Sequence, residues 1–84
     1  MEFKTKNGFA YTVREGGTDD WELLEALSDL DEGKTQRFPA VGKLLLGEEQ
    51  YAALKEHNRG EDGRVKASVM LEEITSIIAQ MGKN

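Results

Sequence analysis

The chain has 84 residues, of which 38% are hydrophobic and 32% are charged, and it carries a net charge of −5. These values suit one small domain with a modest hydrophobic core over residues 1–84. The absence of cysteine excludes disulfide scaffolds, cysteine zinc sites and thiol catalysis. No apolar run approaches the ~20 residues of a membrane helix, and we see no secretion signal. We therefore expect a soluble, cytoplasmic domain.

Residues 2–13 predict a β-hairpin. Asn7-Gly8 separates two apolar stretches, and both residues tolerate the positive φ that a two-residue type I′ turn requires. This loop pairs Lys4 with Tyr11 across the strands. One face of the second strand then carries the residues expected to pack on a helix or a partner, which are Phe9, Tyr11 and Val13.

The region 18–82 predicts about four helices. The first begins at Asp19, an N-cap answered by Glu22 in a capping box, and ends at Gly33. Its buried stripe is predicted to comprise Leu23, Leu24, Leu27 and Leu30, with Trp21 nearby. The fold class is therefore mainly α with a small N-terminal β-hairpin (α+β).

Two short helices and one long helix are predicted to follow. They cover 39–46, beginning with Pro39, and 48–58, and Gly47 stops or bends the chain between them. After a polar loop at 58–63, the last helix shows the clearest helical spacing and ends at Gly82. Its apolar stripe comprises Ala67, Met70, Leu71, Ile74, Ile77, Ile78 and Met81.

Charge is unevenly distributed along the chain. Residues 18–33 contain seven acids and no base, whereas residues 34–46 contain three bases and no acid. The two blocks either form solvated helix faces or pair with each other, within the fold or across a subunit contact. A net negative domain lacks the basic surface that neutralises phosphates, so we expect no nucleic-acid partner.

No arrangement of residues predicts catalysis. Gly33-Lys34-Thr35 lacks the first glycine of a P-loop, and the preceding acids would repel a phosphate. The spacing from Asp29 does not match a calcium loop. His57, the one histidine, has no nucleophile or orienting carboxylate at a suitable spacing, and adjacent glutamate pairs point to different sides of a helix. We therefore predict no enzyme, no cofactor and no metal site, which leaves protein recognition.

Three segments resemble the small tail assembly chaperones of long-tailed, siphovirus-like bacteriophages and prophages of Gram-positive bacteria. They are residues 20–25 (DWELLE), Pro39 ahead of 44–51 (LLLGEEQY), and 61–65 (EDGRV). The resemblance covers about residues 18–81 and rests on the order and spacing of these segments.

The resemblance implies a non-catalytic protein in the cytoplasm of the bacterial host. Such chaperones bind the helical tape measure protein, keep it soluble, help recruit tail tube subunits, and are absent from the mature virion. Apolar helix faces are suited to this task, and homo-oligomers are possible in so small a domain. The residues expected to contact a partner are Trp21, Leu45, Leu46, Tyr51, Ile78 and Met81.

Two other functions compete with this expectation. The acidic surface would suit a phage-encoded inhibitor, or DNA mimic, that binds a host nucleic-acid-binding protein. A plain structural subunit of the phage particle is the other alternative, and purified virions would contain it.

Overall fold

The computed structural model describes residues 2–13 and 16–81. In these ranges a two-stranded antiparallel hairpin precedes three helices, which confirms the mainly helical α+β class. The predicted end at Gly82 lies outside the described residues. The elements are β1 (Glu2–Lys4), β2 (Ala10–Thr12), α1 (Trp21–Asp31), a 3₁₀ turn (Thr35–Arg37), α2 (Phe38–His57) and α3 (Ala67–Met81).

The hairpin forms as predicted, but its register differs by one residue. Phe3 pairs with Tyr11, rather than Lys4, and the two rings stack with centroids 5.6 Å apart. Two backbone hydrogen bonds close the loop: Thr5 N donates to Phe9 O, and Gly8 N donates to Thr5 O. Gly8 takes φ +83° and no other loop residue has a positive φ, so the turn has three residues and not two. This register gathers the aromatic rings on the buried face.

The first helix begins one residue later than predicted. Asp20, not Asp19, is the N-cap, and its carboxylate accepts hydrogen bonds from the backbone N–H groups of Glu22 and Leu23. The helix ends at Asp31, and Gly33, the predicted stop, follows the C-cap Glu32 with φ 90° and donates its N–H to Leu30 O. Leu23 and Ala26 are buried, but Leu24 is 55% exposed, so its predicted burial was wrong.

The second and third predicted helices are the two arms of α2, which meet at the non-helical residue Gly47. This residue has φ 80° and ψ 161°, a conformation essentially restricted to glycine. The break turns the 48–57 arm so that Tyr51 packs on the backbone of Gly42. A Cβ at Gly42 would lie 2.7 Å from Tyr51 Cε1, so only glycine permits this approach.

The loop between α2 and α3 is short and self-contained. Gly60 N donates to Arg64 O, and Arg59 pairs with Val65 in an isolated antiparallel bridge. The predicted turn at Asp62-Gly63 is present, with Asp62 Oδ1 accepting from Arg64 N. The loop therefore returns the chain for α3 to pack against α2.

A buried carboxylate fixes α3 to the hairpin. The side chain of Glu73 is fully buried, and its oxygens accept from Thr5 Oγ1 (2.7 Å), Asn7 N (3.0 Å) and Asn58 Nδ2 (3.1 Å). Its neighbour Glu72 is exposed and pairs with Lys6 at 2.7 Å. The two glutamates point to different sides of α3, as the sequence predicts.

The hydrophobic core draws on every helix and on β2. The buried apolar residues are Tyr11, Leu23, Ala26, Val41, Leu45, Leu46, Tyr51, Leu54, Ile74 and Ile77.

Replacing Gly47 by alanine is expected to destabilise the fold by about 1–3 kcal/mol through backbone strain alone, because nothing lies near its Cβ position. Urea unfolding of Gly47→Ala measures this loss. Glu48→Ala, at the next exposed position of the same helix, is the control and should change stability little. Equal stability of the two variants would contradict the assigned backbone geometry.

Replacing the buried Glu73 by glutamine is expected to cost about 1–3 kcal/mol, because the amide NH2 would face at least one of the three groups that donate to the carboxylate. The matched control is Glu72→Gln on the adjacent exposed position, where little change is expected because exposed ion pairs contribute weakly. Thermal or urea unfolding compares the two, and equal losses would refute the role given to Glu73.

Candidate functional site

An apolar groove lies between α1 and α3. Both helices border it, with side chains of α2 contributing to its lining. The part at the C-terminal end of α3 has a volume of about 260 Å³. Its apolar lining comprises Leu23, Leu24, Leu27, Leu45, Ile78 and Met81. We call this feature the α1–α3 groove.

The groove continues toward the C-terminal end of α1. Leu30, Asp31, Phe38 and Thr75 line this second part, which shares Leu24, Leu27 and Ile78 with the first. Because the N-terminal end of α1 faces the C-terminal end of α3, the two helices run roughly antiparallel along the groove.

The most exposed large apolar side chains lie on the α1 side of the groove. Trp21 is 72% exposed and Leu24 is 55% exposed, and their i, i+3 spacing places both on one face of α1. Adjacent exposed hydrophobic side chains that border an apolar groove are typical of a protein-binding surface.

The structure divides the six predicted contact residues into two sets. Ile78 and Met81 line the α1–α3 groove, and Trp21 is exposed one helical turn before the groove residue Leu24. Leu45, Leu46 and Tyr51 instead lie in the core. Leu46 and Tyr51 are therefore covered within the fold and lie away from the groove, whereas Leu45 is buried and also contributes to the groove lining.

The burial of Tyr51 has a specific cause. Its ring packs on Gly42, and the amines of Lys43 and Lys55 lie 5.7 and 5.1 Å from the ring centroid. These long side chains help to cover the ring on its outer side.

Leu24 and Leu27 are groove residues that the sequence interpretation assigned to the core. Leu23 and Leu24 point about 100° apart on a helix. The four leucines of α1 therefore cover a wider part of the helix surface than the part that packs on the core. That width was the available signal that one leucine would lie outside the core.

The charges around the groove are one-sided. Asp29 pairs with Arg37 Nε at 3.0 Å and with Lys34 Nζ at 3.6 Å, so the acidic and basic blocks partly neutralise each other within the fold. Within residues 2–13 and 16–81, Glu25 and Asp31 have no ion-pair partner. Asp31 lines the groove directly. The α1 side of the groove is therefore acidic.

The α3 wall of the groove is held from behind by the hairpin. Gln80 Oε1 accepts from the Tyr11 hydroxyl, and Gln80 Nε2 donates to Lys4 O at 2.6 Å. On the other hairpin edge, Gln50 Oε1 accepts from Thr12 N and Gln50 Nε2 donates to Thr12 O, both at 2.8 Å. The two glutamines form hydrogen bonds with backbone groups at the outer edges of both strands. These edges are therefore less free to pair with a strand of another chain.

His57 has a structural contact, although it is exposed as predicted. Its Nε2 lies 2.9 Å from Asn7 O, and its ring contacts Phe9 with centroids 5.5 Å apart. Across the described ranges, no group of three or more histidines and acids is placed to hold a metal ion. In the same ranges, no helix is long and apolar enough to cross a membrane. The absence of an enzyme activity, a cofactor and a nucleic-acid partner stays a prediction.

No family model, curated protein or solved structure matches this chain.

Burial raises the pKa of Tyr11 to about 12. The folded state thus favours the neutral phenol, and this contribution to stability is present below the ordinary pKa of about 10 and is lost as the pH rises toward about 12. We expect the free energy of unfolding to fall more steeply over this range in the wild type than in Tyr11→Phe.

Denaturant unfolding at matched pH values makes this comparison. At neutral pH, Tyr11→Phe should lose about 1 kcal/mol, because the hydrogen bond to Gln80 is removed. Parallel pH profiles for the two proteins would show that the Tyr11 hydroxyl is not in a buried environment.

Proposed function

We propose that this protein is a non-catalytic phage tail assembly chaperone that covers an apolar helix of the tape measure protein with its α1–α3 groove. The observation that supports this most directly is the groove itself, bordered by Trp21 and Leu24, which are 72% and 55% exposed. The resemblance of residues 20–25, 44–51 and 61–65 to that family supplies the identity of the partner.

The dimensions of the groove suit a helical ligand. Its lining runs along α1 from Leu23 to Asp31, a rise of about 12 Å, which is about two turns of a bound helix. A helix with an apolar stripe would bury that stripe against Leu24, Leu27 and Ile78, which both parts of the groove share.

The proposal also accounts for reversible binding. One small groove gives weak affinity, but many copies along a long helical protein keep it soluble through multivalency and can still be displaced. In this proposal, tail tube subunits displace the chaperone as they polymerise. The chaperone thus acts in the cytoplasm of the bacterial host and is missing from the mature virion.

Co-expression with the tape measure protein tests this function. Leu24→Asp and Ile78→Asp should each reduce the soluble fraction of the tape measure protein by roughly tenfold, because a buried leucine or isoleucine contributes about 1.5–3 kcal/mol. Leu24 is exposed, so its variant should fold normally by circular dichroism. Leu71→Asp, at an exposed apolar position of α3 outside the groove lining, is the control.

Retention of solubilisation by folded Leu24→Asp and Ile78→Asp would reject the proposed function. A tagged pull-down from cells with the native gene neighbourhood adds an independent test. Recovery of a long helical protein with tube subunits is the expected result.

The acidic residues of α1 are also compatible with the alternative function, an inhibitor that mimics DNA. An inhibitor that mimics DNA would recover a host nucleic-acid-binding protein in the same pull-down, and that complex would dissociate at high salt. Glu25 and Asp31 are the informative acids to neutralise, because Asp20 is the N-cap of α1 and Asp29 pairs with Arg37.

A further inference from the structure

We propose that the α1–α3 groove selects amphipathic helices that carry lysine or arginine along one flank only, the flank that lies over α1. This inference rests on the proposed function and specifies the chemistry of the helix that the groove accepts. The observation that carries it is the difference in charge between the two walls of the groove.

The α1 wall presents unpaired acids beside the apolar surface. Asp31 lines the groove, and Glu25 lies one helical turn after the exposed Trp21 on the outer face of α1, outside the groove lining. Neither has an ion-pair partner in the described ranges. A cation on the bound helix would find an unneutralised carboxylate at Asp31, and a cation that extends over Trp21 would find a second one at Glu25.

The α3 wall is neutral where it faces the groove. Thr75, Ile78 and Met81 form it. The nearest acids in sequence have other partners, because Glu73 accepts hydrogen bonds from the hairpin and Glu72 is paired with Lys6. A basic residue on this side of a bound helix would gain no partner in the groove. The preference for cations is therefore limited to one flank.

This charge distribution disfavours a second copy of the chain as the occupant. Among residues 2–13 and 16–81, the groove lining contains no lysine or arginine, and α1 has no basic residue. A symmetric dimer through the groove would bring two acidic α1 helices together, which costs free energy through like-charge repulsion. A basic partner helix neutralises the same charges.

Trp21 supplies a direct reporter for the test. It is the one tryptophan in the sequence and lies exposed on the lip of α1. A helix that occupies the groove should cover part of its ring and shift its fluorescence emission to shorter wavelength. The probes are two helix-forming peptides of about 18 residues (about 27 Å) without tryptophan. Both peptides carry the same apolar stripe. In one peptide lysines flank the stripe on one side, and in the other peptide glutamates take the same positions.

The lysine-flanked peptide is expected to bind and shift the Trp21 emission, and the glutamate-flanked peptide is expected to bind at least severalfold more weakly. Glu25→Gln and Asp31→Asn should each weaken the lysine-flanked peptide by about two- to fivefold, as expected for exposed ion pairs. Glu61→Gln makes the same change in net charge in the loop before α3 and should leave binding unchanged. Raising the salt from about 0.05 M to about 0.5 M should reduce the difference between the peptides.

Equal affinity for the two peptides, or no binding of either, would overturn the inference. So would concentration-dependent dimerisation that Leu24→Asp abolishes, because the groove would then be an interface between copies of this chain. These outcomes are distinct from failure of the proposed function. That failure would appear as an unchanged solubility of the tape measure protein with Leu24→Asp, whatever the peptides show.

Discussion

The buried carboxylate of Glu73 is the constraint on which the rest of the structure depends. A buried charge is costly unless hydrogen bonds replace its hydration, and the three donors come from the hairpin turn and the C-cap of α2. Neither segment alone supplies all three, so hairpin, α2 and α3 must assemble together. Gln80, two turns along α3 on the same side as Glu73, continues this attachment through Tyr11 and Lys4. One side of α3 is thereby committed to the hairpin, which leaves Thr75 and Ile78 at the groove.

The break at Gly47 explains how one helical segment serves two neighbours. Val41 and Leu45 in the first arm are buried, and the second arm folds Tyr51 back onto Gly42. A straight helix would carry Tyr51 away from Gly42, since nine residues of helix span about 13 Å. The bend thus creates a compact support on which α1 and α3 both pack, with the groove between them.

The chemistry of the groove combines weak apolar contact with a one-sided charge. A small domain has few apolar residues with which to form a core. Leu24 nevertheless lies outside the core, at the border of the groove. The acids of α1 also oppose self-association of the exposed apolar surface, because the same face repels its own copy. In the proposed binding mode, such a surface favours a different, basic helix over a second copy of this chain.

Most of the helices and turns could be predicted from the sequence, because they depend on interactions between residues close in the chain. The helical spacing of residues 67–81, the stop at Gly33 and the turn at Asp62-Gly63 all occur as predicted. Local rules did not separate a two-residue from a three-residue hairpin loop at Asn7-Gly8, or Asp19 from Asp20 as the cap. Tertiary structure decided which apolar faces are covered: Leu46 and Tyr51 became core and Leu24 became surface. Periodicity specifies the angle between side chains on one helix, whereas burial depends on which other element packs there.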